Sequence, residues 1–284
     1  MSENKIYLCA ISNIESGTCN EDCKFCTQSV KYKADIQRYR RKEIEDIVKE
    51  AIIARKNRAI GFCLVTAGTG LDDKRLDYVC RAASAIKKEL GDELSLIACN
   101  GIATLEQLKE LKKHGIENYN HNLETAQEFY NEICTTHPWE DRYQTCLNAK
   151  EAGLQLCTGG IFGLGETQEN RISMLKSIAS LEPMSVPINF FHPNDALPIV
   201  KNSISREEAF ELIKLSREYL PNQMIMIAGG RELMFKEQEY DVFKYGANSL
   251  VVGDYLTTAG KTAQEDIDAI EALGYEIALD CKTR

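Results

Sequence analysis

The segment Cys19-Asn-Glu-Asp-Cys23-Lys-Phe-Cys26 carries three thiols separated by three and two residues. Thiolates are soft ligands that suit zinc and iron–sulfur clusters. Structural zinc normally closes with four ligands, often from two paired knuckles. Here three ligands are local, and no Cys or His follows closely. A four-iron cube held by three cysteines leaves one iron open to a small molecule. A zinc loop with a distant fourth ligand, or plain buried thiols, is the alternative reading of the same spacing.

Three more cysteines fall in apolar runs of strand length: Cys63 in Gly-Phe-Cys-Leu-Val, Cys99 in Leu-Ile-Ala-Cys-Asn and Cys157 in Leu-Gln-Leu-Cys-Thr-Gly-Gly. Taken singly, each reads as a small buried hydrophobe. Together, three inward thiols from different strands could hold a second cluster. Cys9, Cys80, Cys134, Cys146 and Cys281 are read as buried small residues. Asn120, Asn122 and Glu124 alternate at the end of another apolar run, so they can share a face. Asn offers both donor and acceptor, the complement of an amide or cyclic urea. His121, between the asparagines, reads as structural. Gly159 to Glu166 lacks both the ending of a phosphate loop and the spacing of a dinucleotide fingerprint. Thr257 and Thr258 could donate to a carboxylate or cap a helix.

These groups need a frame. Strands are expected at Ile6–Ser12, Ile60–Ala67, Leu94–Asn100, Asn118–Asn122, Leu154–Gly160, Ser185–Phe190, Met224–Ala228 and Asn248–Gly253, with helical patterns between them. The clearest helix is Lys42–Arg55, where Ile44, Ile47, Val48, Ala51 and Ile52 recur on one face. Thr104 and Gln107 fit a capping box, and Gly115, Gly153 and Gly246 read as helix ends. Eight strands at roughly 35 residues per unit is the period of a parallel (β/α)8 TIM-type barrel. An open doubly wound sheet is the runner-up. In a barrel the active groups stand at the C-terminal ends of the strands, where the Cys19 loop falls.

The 284 residues are therefore read as one domain, 1–284. Hydrophobic residues make up 44% and charged residues 27%, as in ordinary soluble proteins. A net charge of −9 disfavours nucleic acid and anionic membranes as partners. No apolar run reaches the roughly 20 residues of a spanning helix, and the N-terminus has no basic region leading into an apolar stretch. The expected compartment is the cytoplasm, where eleven cysteines remain thiols.

The Cys19–Cys26 segment, with Phe25 before the third cysteine, resembles the signature of the radical S-adenosylmethionine (SAM) superfamily. The chain from that loop to Thr258 resembles the biotin synthase family. The matching residues include Tyr119–Glu124, Gly159–Glu166, Val186–Asn189, Ala228–Glu232 and Leu256–Thr258. The resemblance implies a 4Fe-4S cluster on Cys19, Cys23 and Cys26 that cleaves SAM. It implies an auxiliary 2Fe-2S cluster on Cys63, Cys99 and Cys157 that donates sulfur. Asn122, Glu124 and Gly160 are then expected near SAM, and Asn120, Asn122, Asn189, Thr257 and Thr258 near dethiobiotin. The implied reaction is sulfur insertion between carbons 6 and 9 of dethiobiotin. The implied partners are a flavodoxin or ferredoxin electron donor and a second copy of the chain in a homodimer. One departure stands out. The family's fourth auxiliary ligand is an arginine five residues before the position of Arg231, and this chain has Met226 there. A thioether is a soft, neutral donor that can ligate or simply pack, and Cys134 is the candidate replacement. Other radical SAM enzymes of the same architecture, such as hydrogenase maturases and methylornithine-type mutases, are the second reading. A zinc-stabilised binding barrel is the third.

Overall fold

The computed structural model describes residues 4–280. Its strands are β1 (Lys5–Asn13), β2 (Gly61–Val65), β3 (Ser95–Cys99), β4 (Asn118–Asn120), β5 (Gln155–Cys157), β6 (Gly160–Phe162), β7 (Ser185–Phe190), β8 (Met224–Ile227), β9 (Ser249–Val251) and β10 (Glu276–Ile277). All their pairings are parallel. Strand β9 pairs with β1, which closes the barrel and removes the open-sheet alternative. Strand β10 pairs with β1 outside that ring.

The architecture is thus the expected (β/α)8 barrel, with one local correction. The expected fifth strand, Leu154–Gly160, is two pieces, β5 and β6, and both pair with β7. The break falls at Thr158 and Gly159. A Cβ on Gly159 would stand 1.9 Å from the Pro187 carbonyl oxygen, so only glycine lets the two backbones approach there. Strand β4 also ends early, at Asn120, although the chain continues to bond across. His121 N–H donates to the Cys157 carbonyl at 2.9 Å, and Leu123 N–H to the Gly159 carbonyl at 2.9 Å.

Alternation along the strands sorts the side chains into two cores. Outward residues such as Ile6, Leu8, Phe62, Leu64, Leu96 and Ala98 meet the helices. Helix Ile44–Lys56 presents Ile47, Ala51 and Ala54 as its buried residues. Inward residues form a smaller lumen core of Cys9, Cys63, Val65, Ile97, Met226, Ala228 and Val251. Below it Tyr7, Ile60, Met224 and Ala278 make an apolar floor. Helix Leu105–Lys113 starts with the expected box of Thr104 and Gln107. Boxes also open Gln168–Ser180, Arg206–Tyr219 and Ala263–Ala272. Gly115, Gly153 and Gly246 take positive φ at the ends of helical segments. Among the described residues, no helix is long and apolar enough to cross a membrane.

Candidate active site

The loop after β1 is pinned from several sides. Gln28 accepts from Gly17 N–H at 2.5 Å and donates to Asn13 Oδ1 at 3.3 Å. Lys24 N–H donates to the Ile133 carbonyl, and the Asp22 carboxylate accepts from Thr135 N–H at 2.9 Å. The loop therefore rests on the segment that follows the short helix Tyr130–Ile133. Cys19 and Cys23 are buried, and Cys26 is half-buried. Burial pushes the Cys19 thiol up, and pushes Cys26 up to about 12. Cys23 is raised further, first by its bond to Cys134 and then by burial.

That bond corrects the placement of Cys134. Its Sγ lies 3.5 Å from Cys23 Sγ, at the mouth loop rather than among the lumen thiols. The reason is the docking just described, which carries residues 133–137 onto the loop. Accepting from Cys23 holds the Cys134 thiol down, at about 4. His137 Nδ1 lies 3.5 Å from Cys134 Sγ and 2.9 Å from Glu21 Oε2. Burial acts against protonation of His137, but these two partners hold its pKa above the ordinary value. Neither Cys134 nor His137 carried a signal at the loop, because their partners lie more than a hundred residues away in sequence. Cys281 lies outside the described residues.

Inside the barrel, one cavity of about 380 Å³ is lined by Cys63, Cys99 and Cys157, by Asn120, Asn122, Glu124 and Asn189, and by Met226, Thr257 and Thr258. Phe25 and Thr27, on either side of Cys26, also face it. The expected lumen residues are thus brought together, apart from Gly160, while Cys19, Cys23 and Cys26 stand in the loop above and do not line the cavity. The missing Cβ of Gly160 faces Met174 Sδ and the Glu124 carbonyl, behind the wall. The Cys63 thiol bonds to Cys99, which holds Cys63 well above the ordinary thiol range and Cys99 below it. Asn120 Nδ2 donates to Cys99 Sγ at 3.5 Å. Asn122 Oδ1 accepts from Gly159 N–H at 3.2 Å. Asn189 is already engaged at both ends: it donates to the Gly160 carbonyl at 3.2 Å and accepts from Gly229 N–H at 2.9 Å. Thr257 Oγ1 lies 2.9 Å from Thr27 Oγ1, tying the late loop to the cysteine loop.

Glu124 takes φ +68°, a backbone region costly for a non-glycine residue. Its carboxyl is raised, mainly by burial, against the pull of Arg142. Arg142 donates to the Asn122 carbonyl at 2.9 Å and lies 3.5 Å from Glu124 Oε1. It sits in no motif, so sequence reasoning missed it. His121 is buried among structural groups, and burial pushes its pKa well down. Arg231 is held away from the lumen in a buried ion network, 2.7 Å from Asp266.

Family models match the chain in two segments, the Radical SAM superfamily over residues 14–178 and the Biotin and Thiamin Synthesis associated domain over residues 187–276. A biotin synthase of Aliarcobacter butzleri is 83% identical over 281 residues, covering 99% of each chain. One from a Nitratiruptor species is 63% identical, covering 98% of this chain and 99% of the relative. The chain belongs to the biotin synthase family of radical SAM enzymes. Among solved structures, a methylornithine synthase superposes with a TM-score of 0.83 at 19% identity, covering 97% of this chain and 84% of the other. An FeFe-hydrogenase maturase from Carboxydothermus hydrogenoformans gives 0.82 at 21%, covering 97% and 68%. These two likenesses show the shared barrel.

Biotin synthases carry a 4Fe-4S cluster with SAM and an auxiliary 2Fe-2S cluster. The donor chemistry here fits both groups. Among the described residues, the three donors drawn within single-ion spacing, 4.8 Å of one another, are Cys23, Cys134 and His137. Neither cysteine trio is drawn in that tightly, and a multi-iron cluster needs its ligands spread wider than one ion does. Asn120 Oδ1 and Glu124 Oε2 are buried without a protein partner. Buried polar atoms are ordinarily satisfied, so these two mark a place for ligand groups.

Proposed function

We propose that this chain inserts sulfur between carbons 6 and 9 of dethiobiotin, closing the thiophane ring of biotin, with the auxiliary cluster as sulfur source. One observation carries this reading. The same cavity meets the Cys26 loop at Phe25 and Thr27, the polar set Asn120, Asn122 and Glu124, and the thiols Cys63, Cys99 and Cys157. A substrate in that cavity stands between a radical source and a sulfur source. Cys19, Cys23 and Cys26 would hold the 4Fe-4S cluster, whose chemistry is the one-electron cleavage of SAM to a radical able to take hydrogen from unactivated carbon.

The chain's own residues bind, orient and exclude water. Asn120 Oδ1 is free to accept from a ureido N–H. The second lone pair of Asn189 Oδ1 can do the same from the facing wall. Glu124 Oε2 can accept from ribose hydroxyls of SAM, with Asn122 and Arg142 fixing its position. Gly160 supports this wall by letting β6 pack against Glu124. Thr257 and Thr258 can donate to the carboxylate end of dethiobiotin. Val65, Ile97, Ala228 and Val251 keep the lumen apolar, which protects a carbon radical from solvent. Our reading also includes a flavodoxin or ferredoxin as electron donor, a homodimer, and one barrel domain over 1–284. The cytoplasm is the proposed site of action, supported by ten described cysteines without a disulfide.

Anaerobic incubation of the reconstituted protein with dethiobiotin, SAM and a reductant should give biotin. Cys23→Ala should abolish SAM cleavage. Cys157→Ala should still release 5′-deoxyadenosine but give no biotin. Biotin from Cys157→Ala would overturn the assignment of the sulfur source.

A further inference from the structure

We propose that Cys9 is the fourth protein ligand of the auxiliary cluster, so that this chain holds the cluster by four thiolates. The proposal rests on the reading that Cys63, Cys99 and Cys157 are the other three. In the β1–β2 pairing, Cys9 is opposite Gly61 and Ile11 is opposite Cys63. Side chains two residues apart on a strand share a face, about 6.6 Å apart along it. Cys9 and Cys63 are therefore successive lumen positions on neighbouring strands. The packing agrees with this. Leu8 belongs to the helix-facing core, whereas Cys9 packs with Cys63, Met226 and Val251 in the lumen. Cys9 also lines the same cavity as Cys63, Cys99, Cys157 and Met226.

Gly61 makes room for this thiol. A Cβ at Gly61 would stand 2.9 Å from Cys9 Sγ and 3.1 Å from Ile97 Cδ1. Any larger residue would therefore crowd the thiol at the point where it enters the lumen.

Two sulfur donors compete for the fourth position, Cys9 and Met226, both 7% exposed. A deprotonated thiol brings negative charge to iron, whereas a thioether brings none, so the thiolate binds more strongly. Four cysteines are also the set that closes both common cluster types. Met226 then packs beside the cluster as an apolar wall. An anionic fourth ligand lowers the cluster's reduction potential relative to a neutral or cationic one, since net charge is one of its determinants.

The test is anaerobic reconstitution with ⁵⁷Fe of the wild type and of Cys9→Ser, Cys9→Ala, Met226→Leu and Cys157→Ala. Mössbauer spectra, together with iron and sulfide content, are the readout, and SAM cleavage at the first cluster serves as the folding control. Cys9→Ser should keep an auxiliary cluster with one iron site altered, Cys9→Ala should lose auxiliary iron and sulfide, and Met226→Leu should match the wild type. A wild-type spectrum in both Cys9 variants, or an altered iron site in Met226→Leu alone, would overturn the role of Cys9. Loss of auxiliary iron in Cys157→Ala alongside intact Cys9 variants would leave the cluster's location standing and defeat only the fourth ligand. Retention of a full auxiliary signal in Cys157→Ala would defeat the underlying reading instead.

Discussion

Arg142 reaches three groups at once: the Asn122 carbonyl at 2.9 Å, the Tyr130 hydroxyl oxygen at 2.6 Å and, at 3.5 Å, Glu124 Oε1. Removing it would leave a buried carboxylate without its cation. Arg142→Met should therefore cost about 3–5 kcal/mol in urea unfolding. Adding Glu124→Gln should recover part of that loss, and a double-mutant cycle measures the coupling. Glu124 alone has a pH consequence in the cofactor-free protein. Its folded-state pKa lies above the unfolded value, so the folded state binds more protons. Stability should fall as pH rises from about 4, the unfolded carboxylate value, through the raised folded value. Glu124→Gln should flatten that slope in urea midpoints taken across pH. At this scale the cysteine loop was legible because its three thiols are neighbours in sequence. Arg142 and the pairing of Cys23 with Cys134 were not. They depend on contacts across the barrel mouth, which leave no local pattern.

The interruption between β5 and β6 shows what an element hides in sequence. Leu154–Gly160 reads as one unbroken strand, because nothing local reports that the Pro187 carbonyl will occupy the place of a side chain on Gly159. Gly159→Ala forces backbone against backbone, so it should cost at least the roughly 1–3 kcal/mol of an overpacked core. The damage should spread to the wall formed by Asn122, whose Oδ1 accepts from that same glycine N–H. Chemical denaturation and dethiobiotin-dependent turnover would report the two effects separately. The other strands of the barrel were readable to within a residue or two from their apolar runs, whereas the two-residue β10 was missed because it is too short to show a pattern. The box of Thr104 and Gln107 was readable because capping is decided within four residues. The face presented by Cys9 was not readable, since alternation fixes relative but not absolute orientation until the register with β2 is known.

At the level of the whole molecule, the barrel count came from periodicity, but closure did not. It depends on Tyr7, Leu8 and Cys9 pairing with Ser249, Leu250 and Val251. A chain ended after Ala247 would lack that last stave and expose the lumen faces of β1 and β8. It should show no cooperative unfolding transition, as measured by circular dichroism against urea. The same join imposes an order on the protein's making. The first stave leaves the ribosome early, and its closing partner emerges only after all of β2–β8 has been made. During synthesis the lumen thiols Cys63, Cys99 and Cys157 therefore lack a finished enclosure. On the proposed cluster assignment, nascent chains stalled short of the last stave should retain no auxiliary iron or sulfide.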